Sequence, residues 1–581
     1  MLETLSEKTR HRLFLLLVVA IYFTLLGTRG LNEPDEGRYG EIAREMVQTG
    51  NWLVPHIWYV PHLDKPPMTY WCVAVSFKFF GVSEWSLRLP LALAGLSGAW
   101  ATWLLAISIA GRGAARWSVL ILSVSILYVA MARMLTTDIF LTQFVAWTIY
   151  FFWRSWRCLD TFSDSDENNR GRAGKAFIGW QAAMWAFIAG GFLTKGPLAL
   201  VIPAFAIGPL IWLRRKESVR WSMLALGTIV GAVVFSLLAV PWYLLVFQAE
   251  PESFRYMVVD QVVGHATGGG AKNRAKPFFF FFGILALGFL PWTVLLGWLW
   301  RKAHWRSLSG IRREAWAMLS GWAILTFTMF SINSSKLPAY ILPMFPALAI
   351  LAALRWRLGE APDDDPAPLP DWVWRAVAIS PFLPMVAMPL IHRFAFRVED
   401  QNWIWVQVAI CAVAMIAFGF VAKAWKAERC RRWAVGLGAF QLMLLVAMIP
   451  RVETRLKSNQ TLRDIGGRLT KEHKPGDKLV IWQRLPQGLP LYAQSVITPT
   501  NRPYLAELPL HRMPFEYPGN QERFGELLIT NRTDFARMLE GDERVLVVGW
   551  LNGMNTLKQV ATNASLRMIH VSGTYELYTN Q

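Results

Sequence analysis

The sequence predicts an α-helical polytopic membrane protein with a small α/β domain at its C-terminal end. Of its 581 residues, 54% are hydrophobic. Apolar stretches long enough to cross a bilayer follow one another from Leu13 to about Pro450. Beyond Pro450 the pattern alternates between short helices and strands, which is typical of an α/β layer. We therefore divide the chain into a membrane domain, 1–450, and an outer-face domain, 451–581.

The apolar stretches predict about thirteen membrane-spanning helices. The first, Leu13–Leu26, follows a basic start; a signal peptide has a similar pattern, but no convincing cleavage site follows it. Many of the 30 tryptophans lie near span ends, where the indole suits the lipid headgroups, although core packing explains some of them. The other predicted spans are 89–110, 117–132, 138–153, 177–193, 197–213, 222–247, 278–300, 316–332, 338–354, 372–391, 403–422 and 433–449.

Basic residues concentrate in alternate loops and predict the orientation. The Lys- and Arg-rich set comprises the N-terminus and the loops near 112–116, 154–175, 214–220, 301–313, 355–357 and 423–432. By the positive-inside rule this set is cytoplasmic, which puts everything after Pro450 on the outer side. The net charge of +19 is therefore mainly a topology signal. A nucleic-acid partner would need these cations on one soluble face, so we expect none.

The outer-face domain has few recognisable chemical motifs. Its predicted strands are 478–483, 544–548 and one or two within 565–578, with helices in 452–474 and 524–540. The four cysteines all precede it, which excludes a disulfide framework and a cysteine-based metal site there. We interpret this domain as a lid or an acceptor-docking element.

The first outer loop, 30–88, is the most informative segment because it is far longer than a connector requires. It opens with Asn32-Glu33-Pro34-Asp35-Glu36-Gly37-Arg38-Tyr39, in which Pro34 and Gly37 predict a bent backbone. Gly40–Gln48 then has the pattern of a short amphipathic helix lying along the membrane interface. A second polar cluster, His62-Leu63-Asp64-Lys65-Pro66-Pro67, follows.

Further polar clusters lie at the predicted outer ends of other spans. They are Arg133–Asp138, Thr194–Gly196, 265–276 and 334–340. Solvated loop charges are the simplest alternative. However, Asp138 opens an apolar span with no partner close in sequence, and ionisable groups at such depth usually mark function. The clusters therefore predict a single polar site that faces the outer side.

These clusters resemble the C-type (GT-C) membrane glycosyltransferases. They are most similar to the branch of protein O-mannosyltransferases and of bacterial transferases that add 4-amino-4-deoxy-L-arabinose to lipid A (glycosyltransferase families 39 and 83). The segments that carry the resemblance are 34–39, 41–42, 44–46, 50–56, 64–66, 194–196 and 336–342, together with His265 and Arg274. The chain departs from the aminoarabinose enzymes at Asp64, where they have glutamate, at Gly37, where they have threonine, and at 266–270, where they have an arginine.

The resemblance implies an undecaprenyl-phosphate sugar donor, inverting transfer at the outer face of the bacterial inner membrane, and lipid A as the acceptor. Cleavage of the bond from sugar to phosphate leaves an anion that needs cations nearby. The predicted donor-phosphate residues are Arg38, Lys65, Arg274, Lys336 and Tyr340. The predicted catalytic residues are Asp35 as the base, Glu36 as its neighbour, and Asp138, which holds the cations of the site.

A divalent metal, Zn²⁺ or Mg²⁺/Mn²⁺, is a weaker prediction. Asp64 and His265 offer one oxygen and one nitrogen ligand, with His62 and His56 close in sequence. The alternative is that these histidines only donate hydrogen bonds at the interface. The aromatic run Phe278–Phe282 either lines a groove for the polyprenyl chain or simply faces lipid. No motif resembles a nucleotide-sugar site, so we expect no nucleotide cofactor.

Three other functions stay open. The first is transfer of another sugar, such as mannose, to a protein or glycan hydroxyl. The second is a lipid or solute transporter or flippase, although transporters usually carry an internal repeat and the long first loop has no counterpart in the second half. The third is a purely structural protein, which would not need matched charge clusters on one face.

Overall fold

The computed structural model describes residues 7–164, 167–214, 221–264, 275–300, 308–358, 375, 462–509, 514–562, 564–572 and 574–581. Outside these ranges lie the site residues His265 and Arg274, the predicted spans 403–422 and 433–449, and nearly all of the predicted span 372–391.

In the membrane domain the α-helices are α1 Glu7–Phe23, α2 Asp35–Thr49, α3 Met68–Phe80, α4 Glu84–Val124, α5 Ile126–Met131, α6 Asp138–Asp164, α7 Glu167–Lys195, α8 Leu198–Leu213, α9 Trp221–Leu238, α10 Val240–Ala249, α11 Phe280–Gly288, α12 Thr293–Leu299, α13 Gly310–Ile332 and α14 Phe345–Leu358.

Five helical stretches in the described part of the chain are long and apolar enough to cross a membrane. They are Glu84–Val124, Asn168–Lys195, Trp221–Ala249, Gly310–Ile332 and Pro338–Arg355. Phe14–Phe23 and Leu198–Leu213 are shorter apolar helices. The polytopic helical class is thus confirmed, whereas the count of thirteen spans stays a prediction.

The structure keeps one predicted boundary between spans and interrupts another span. The predicted spans 89–110 and 117–132 fall largely on α4, in which Gly111, with φ 82°, separates two helical pieces directly after the first of these spans. A left-handed φ is cheap only for glycine, so the chain changes direction there without strain. The predicted span 278–300 consists of α11 and α12, which are separated by Pro291. Proline lacks the N–H that would continue the first of these helices.

Helix α2 differs from the prediction at both its start and its surroundings. It begins at Asp35 rather than Gly40, because Pro34 precedes it and two carboxylates in its first turn favour the helix N-terminus. Glu36–Met46 are buried, so α2 is enclosed by protein rather than lying as an amphipathic helix on the interface. It ends at Gly50, whose φ of 72° allows its N–H to bond the Met46 carbonyl.

The C-terminal part is an α/β sheet domain, as predicted. Its elements are α15 Arg463–Glu472, β3 Lys478–Trp482, α16 Leu489–Tyr492, β4 Tyr504–Ala506, α17 Asn520–Phe524, β5 Leu528–Ile529, α18 Arg532–Glu540, β6 Val545–Trp550, α19 Met554–Val560, β7 Arg567–Ser572 and β8 Tyr575–Thr579. The six strands of its sheet have the order β5-β4-β3-β6-β8-β7. The first four are parallel, and β8 pairs antiparallel with both β6 and β7. The sequence does not indicate β4, β5, α16 and α17, each of which has five residues or fewer.

The first outer loop adds a two-stranded hairpin, β1 His56–Ile57 with β2 Val60–Pro61.

The two faces of this sheet pack against different partners. Val480 and Val547 face a local core that includes Phe535 of α18. On the opposite face, Ile481 and Val548 belong to the same continuous core as the membrane helices. The outer-face domain is therefore packed directly onto the membrane domain through one face of its sheet.

Candidate active site

Glu36 is the centre of a buried ion network at the start of α2. Its carboxylate accepts two hydrogen bonds from Arg29, at 2.8 and 2.9 Å, and two from Arg88, at 3.0 and 2.9 Å. The backbone N–H groups of Asn32 and Leu135 donate to it at 3.0 and 3.3 Å. These six donors outweigh the effect of burial, which alone would raise the pKa of Glu36, and lower it to about 2. Glu36 is therefore ionised and turned into the protein.

Arginines also fix the chain on both sides of that network. Arg88 donates to the carbonyl oxygens of Leu26, Arg29 and Gly30 at 2.7–2.9 Å. Arg133 donates to carbonyl oxygens at the end of α1, including Ile21 at 3.1 Å, where helical carbonyls lack intrahelical partners. Through these contacts the end of α1 and the start of α2 form one rigid unit.

Asp35 occupies the first position of α2 with its side chain 53% exposed, in contrast to its neighbour Glu36. It forms an ion pair with Arg38, whose own side chain is almost completely buried. The Arg38 guanidinium lies 5.1 Å from the centroid of the Tyr39 ring, and that ring contacts Tyr70 at 5.6 Å. Asp35 is thus the accessible carboxylate of the Asp-Glu pair.

Asp64 comes from the polar cluster that follows the hairpin, and a distant tyrosine holds it. The hydroxyl of Tyr256, in the π-helical segment Arg255–Val263, donates to Asp64 Oδ1. His62 Nε2 lies 3.7 Å from Asp64 Oδ2, and Lys65 Nζ donates to the Asp64 backbone carbonyl at 3.0 Å. Although burial alone would raise the pKa of Asp64, His62, Lys65 and Arg38 lower it to about 2.

The imidazole of His62 is neutral, and its Nε2 atom is buried. Burial lowers the pKa of His62 to about 4, despite the nearby charge of Asp64. Within the described residues, His62 Nε2 has no hydrogen-bond partner. The same residues hold no cluster of three potential metal ligands. The Asp64 and His62 atoms nevertheless offer one oxygen and one nitrogen of the kinds that divalent metals bind.

Asp138 pairs with a residue that the sequence places 57 positions away. Lys195 Nζ lies 2.5 Å from Asp138 Oδ1 and 4.6 Å from the centroid of the Tyr340 ring. Three separate sequence clusters therefore meet at one point. Lys336 is also buried, and its ammonium donates to the Asn333 carbonyl.

The charges of the three predicted aspartates all act on one tyrosine, Tyr39. Burial raises the pKa of the Tyr39 hydroxyl; Arg38 opposes that rise, and the charges of Asp35, Asp64 and Asp138 add to it. Carboxylates that act on one phenol lie within electrostatic reach of the same point. The first outer loop and the start of α6 thus contribute to a single polar site.

Several site residues were missed by the sequence reasoning. Arg29 and Arg88 are isolated arginines with no motif around them, and Tyr256 lies in a segment of mixed polar and apolar residues that matches no motif. Lys195 belonged to a recognised cluster, but only the fold shows that its partner is Asp138. The run 278–282 is mixed: Phe278 and Phe279 are more than half exposed, whereas Phe281 is fully buried.

Comparisons with known proteins point to one group. Residues 64–242 match the family model described as dolichyl-phosphate-mannose-protein mannosyltransferase. The undecaprenyl phosphate-alpha-4-amino-4-deoxy-L-arabinose arabinosyl transferase of Edwardsiella ictaluri is 33% identical over 339 residues, which is 58% of this chain and 57% of that protein. A transferase of the same description from Pseudomonas fluorescens is 31% identical over 341 residues, 58% of this chain and 56% of that one. The matched region thus spans a little over half the length of these relatives.

Solved structures share the fold over almost the whole chain. The crystal structure of ArnT from Cupriavidus metallidurans bound to undecaprenyl phosphate superposes with a TM-score of 0.78 and 22% identity, and covers 99% of both chains. The archaeal oligosaccharyltransferase AglB from Archaeoglobus fulgidus superposes with a TM-score of 0.51 and 13% identity, over 96% of this chain and 71% of that one. The predicted fold class and the predicted resemblance are both confirmed.

Proposed function

We propose that this chain, which has the C-type membrane glycosyltransferase fold and resembles the aminoarabinose-transferring branch in sequence, is an inverting glycosyltransferase. It moves 4-amino-4-deoxy-L-arabinose from undecaprenyl phosphate to a phosphate group of lipid A at the outer face of the inner membrane. The observation that best supports this is the ion pair between the exposed Asp35 carboxylate and the buried Arg38 guanidinium at the start of α2. The arrangement combines an accessible carboxylate with cations that suit a phosphate leaving group.

In this proposal Asp35 contacts the acceptor. Its exposed carboxylate orients the attacking oxygen, and takes a proton from it where one is present. Arg38 forms an ion pair with Asp35, which balances its charge and fixes the direction of the carboxylate. Attack then occurs on the sugar face opposite the departing phosphate, which inverts the configuration at C1.

The leaving group is stabilised by cations from several loops. Lys65, Lys336 and Arg274 neutralise the polyprenyl phosphate as the bond to the sugar breaks, and the Tyr340 hydroxyl donates a hydrogen bond to it. Asp138 contributes indirectly, because its ion pair with Lys195 keeps that ammonium against the Tyr340 ring. Glu36 has a supporting role, since its carboxylate accepts hydrogen bonds from Arg29, Arg88 and two backbone N–H groups of the protein.

A divalent metal held by Asp64 and His265 is a further part of the proposal. His62 strengthens it, because a buried neutral imidazole nitrogen faces Asp64 Oδ2 at 3.7 Å. The 3.7 Å separation allows one ion to lie about 2.0–2.2 Å from both His62 Nε2 and Asp64 Oδ2. Such an ion adds positive charge close to the donor phosphate. Elemental analysis of the purified protein, with His62→Ala and His265→Ala beside it, tests this.

The proposed orientation places the N-terminus in the cytoplasm and residues 451–581 in the periplasm. It rests on the Lys- and Arg-rich alternate loops. A phosphatase fused after Gln581 should then be active, because this reporter folds only in the outer compartment. A cytoplasmic signal at that position would contradict an outward-facing site.

The acceptor separates the two main enzyme functions. A lipid A phosphate is largely ionised at neutral pH, so it needs neutralising cations more than a base, whereas a protein or glycan hydroxyl must lose a proton. Expression in a Gram-negative host that lacks its own aminoarabinose transferase, followed by mass spectrometry of lipid A, tests the assignment. We expect a pentosamine increment with the wild-type chain and none with Asp35→Asn. Unmodified lipid A, with verified expression and donor supply, would favour a different sugar or a hydroxyl acceptor.

A further inference from the structure

Glu33, two residues before Asp35, contacts the outer-face domain rather than the polar site. Its Oε1 accepts a hydrogen bond from the backbone N–H of Gly488 at 2.9 Å. Two residues earlier, the backbone N–H of Leu31 donates to the Tyr492 hydroxyl at 3.0 Å. The segment 487–492 of the outer-face domain therefore binds the chain directly before the predicted base.

The two backbones also touch at a pair of glycines. A Cβ atom added to Gly488 would lie 2.8 Å from the Gly37 Cα, and one added to Gly37 would lie 2.8 Å from the Gly488 nitrogen. Neither glycine has a positive φ, so the lack of space rather than the backbone conformation requires glycine here. Any larger residue would separate the first turn of α2 from the segment 487–492.

Other contacts keep that segment from moving as a free loop. Arg463 of α15 forms an ion pair with Glu84 at 2.6 Å, and the Asn520 side chain donates to the Pro61 carbonyl at 2.9 Å. Arg523 and Glu250 form a third contact at 2.7 Å. The outer-face domain is thus attached at several separate places, and one of them is the turn that carries Asp35.

We propose that Glu33 is a positioning residue, through which the outer-face domain fixes the direction of the Asp35 carboxylate. The hydrogen bond to Gly488 and the contact between Gly37 and Gly488 hold the first turn of α2 in a fixed position relative to the outer-face domain. This inference rests on the proposed role of Asp35 and gives the outer-face domain a part in the reaction. Glu33 itself faces away from the substrates.

Four variants test the inference. Glu33→Ala removes the acceptor for the Gly488 N–H, whereas Glu33→Gln keeps a side-chain oxygen in its place. Gly488→Ala places a Cβ 2.5 Å from Glu33 Oε1 and 2.8 Å from the Gly37 Cα, and so disrupts the same contact by sterics. Gly467→Ala is the matched control, because a Cβ at Gly467 meets nothing within 4 Å in the same domain.

We expect Glu33→Ala and Gly488→Ala each to lower kcat at least about tenfold, because displacement of a reacting group by about 1 Å costs up to about a hundredfold. The KM for the lipid-linked donor should change much less, since Lys65, Lys336 and Arg274, the proposed donor contacts, all lie outside the first turn of α2. Glu33→Gln should keep most of the wild-type kcat, and Gly467→Ala all of it. Hydrogen–deuterium exchange of peptides covering 30–40 should be faster in the two impaired variants only.

The exchange measurement separates this inference from the proposed function. If the wild-type chain transfers no sugar to any acceptor, the proposed function fails, and unchanged exchange in Glu33→Ala would overturn the contact as well. Wild-type kcat in both Glu33→Ala and Gly488→Ala would overturn the positioning role. An equal loss in Glu33→Ala and Glu33→Gln, with unchanged exchange, would overturn it too, because the carboxylate itself would then be required. A variant that fails to insert is replaced by the other, since either one breaks the same contact.

Discussion

Arg88 and Glu36 form a buried ion pair, with 2.9 Å between Nη2 and Oε2, that joins the start of α4 to the first turn of α2. Both side chains are almost completely excluded from solvent. The pair fixes the negative charge of Glu36 beside the more exposed Asp35 and keeps the Glu36 carboxylate away from substrate. One carboxylate of the Asp-Glu pair is thus committed to the fold, and the other remains accessible.

Loss of one partner of this pair should destabilise the protein. We expect Arg88→Ala to cost about 3–5 kcal/mol, because it leaves a buried charge without its main partner. Glu36→Gln should cost less, since the amide still accepts some of the six hydrogen bonds. Thermal unfolding in detergent, followed by intrinsic tryptophan fluorescence, measures the order. Wild-type stability in Arg88→Ala would show that the network is not structural.

Asp35→Asn should abolish transfer and leave the protein folded. The amide is nearly isosteric, and the side chain is half exposed, so little packing changes. Its unfolding temperature should therefore stay within a few degrees of the wild type, while the rate falls by at least about a hundredfold, because the amide neither orients the attacking oxygen as a carboxylate does nor takes a proton from it. The control is Asp534→Asn, an exposed carboxylate on α18. Near-normal turnover of Asp35→Asn with purified donor would show that another group does this work.

Asp138 and Lys195 should behave as one unit. We expect Asp138→Asn and Lys195→Met each to reduce activity strongly, because each leaves the other charge poorly compensated near the membrane. The double variant should lose much less than the product of the two single losses, which is the signature of residues in direct contact. Independent, multiplicative losses would mean that their 2.5 Å contact has no part in function.

Ionisation of Glu33 should lower the stability of the folded protein as the pH rises. Burial outweighs its hydrogen bonds from Gly488 and Gln487 and the charges of Arg484 and Arg38, and raises the pKa of Glu33 to about 8. The folded state therefore holds a proton that the unfolded state releases near pH 4.3. This contribution is complete below that pH and is lost as the pH rises towards 8. Tyr575 also faces the carboxyl, but burial raises its pKa further above this range.

The comparison of wild type with Glu33→Gln isolates that contribution. The amide cannot ionise, so the stability of the variant should fall less between pH 6 and pH 8 than that of the wild type. Above about pH 8 the two curves should run parallel. Identical pH profiles would mean that the Glu33 carboxyl ionises normally in the folded protein.

Runs of apolar residues predicted the helical membrane class well, because a span needs a minimum length of such residues whatever the tertiary contacts are. The break at Gly111 also agrees with the sequence, since this residue lies between the predicted spans 89–110 and 117–132. The division of the predicted span 117–132 between α4 and α5 is not indicated by the apolar pattern. The start of α2 at Asp35 was likewise missed, since Pro34 and Gly37 together favour a bend when the surrounding protein is ignored.

The residues of the polar site were likewise only partly predictable from the sequence. Asp35, Asp64 and Asp138 were identified as candidates from sequence, and the charges of all three act on Tyr39. Their partners were not: Tyr256 reaches Asp64 over 192 positions, and Lys195 reaches Asp138 over 57. Such pairings depend on how helices pack, which no local pattern encodes. Burial of Glu36 was equally hidden, because its arginine partners come from the end of α1 and the start of α4.

The central claim is that this chain transfers an amino sugar from a polyprenyl phosphate to a lipid A phosphate. The most direct measurement uses the purified protein in lipid vesicles with undecaprenyl-phosphate aminoarabinose and lipid A, and follows both products by mass spectrometry. The account predicts equal amounts of free undecaprenyl phosphate and of lipid A carrying one pentosamine on a phosphate, and neither product with Asp35→Asn. Free undecaprenyl phosphate formed only when a peptide or glycan hydroxyl is supplied, with lipid A unmodified, would contradict it.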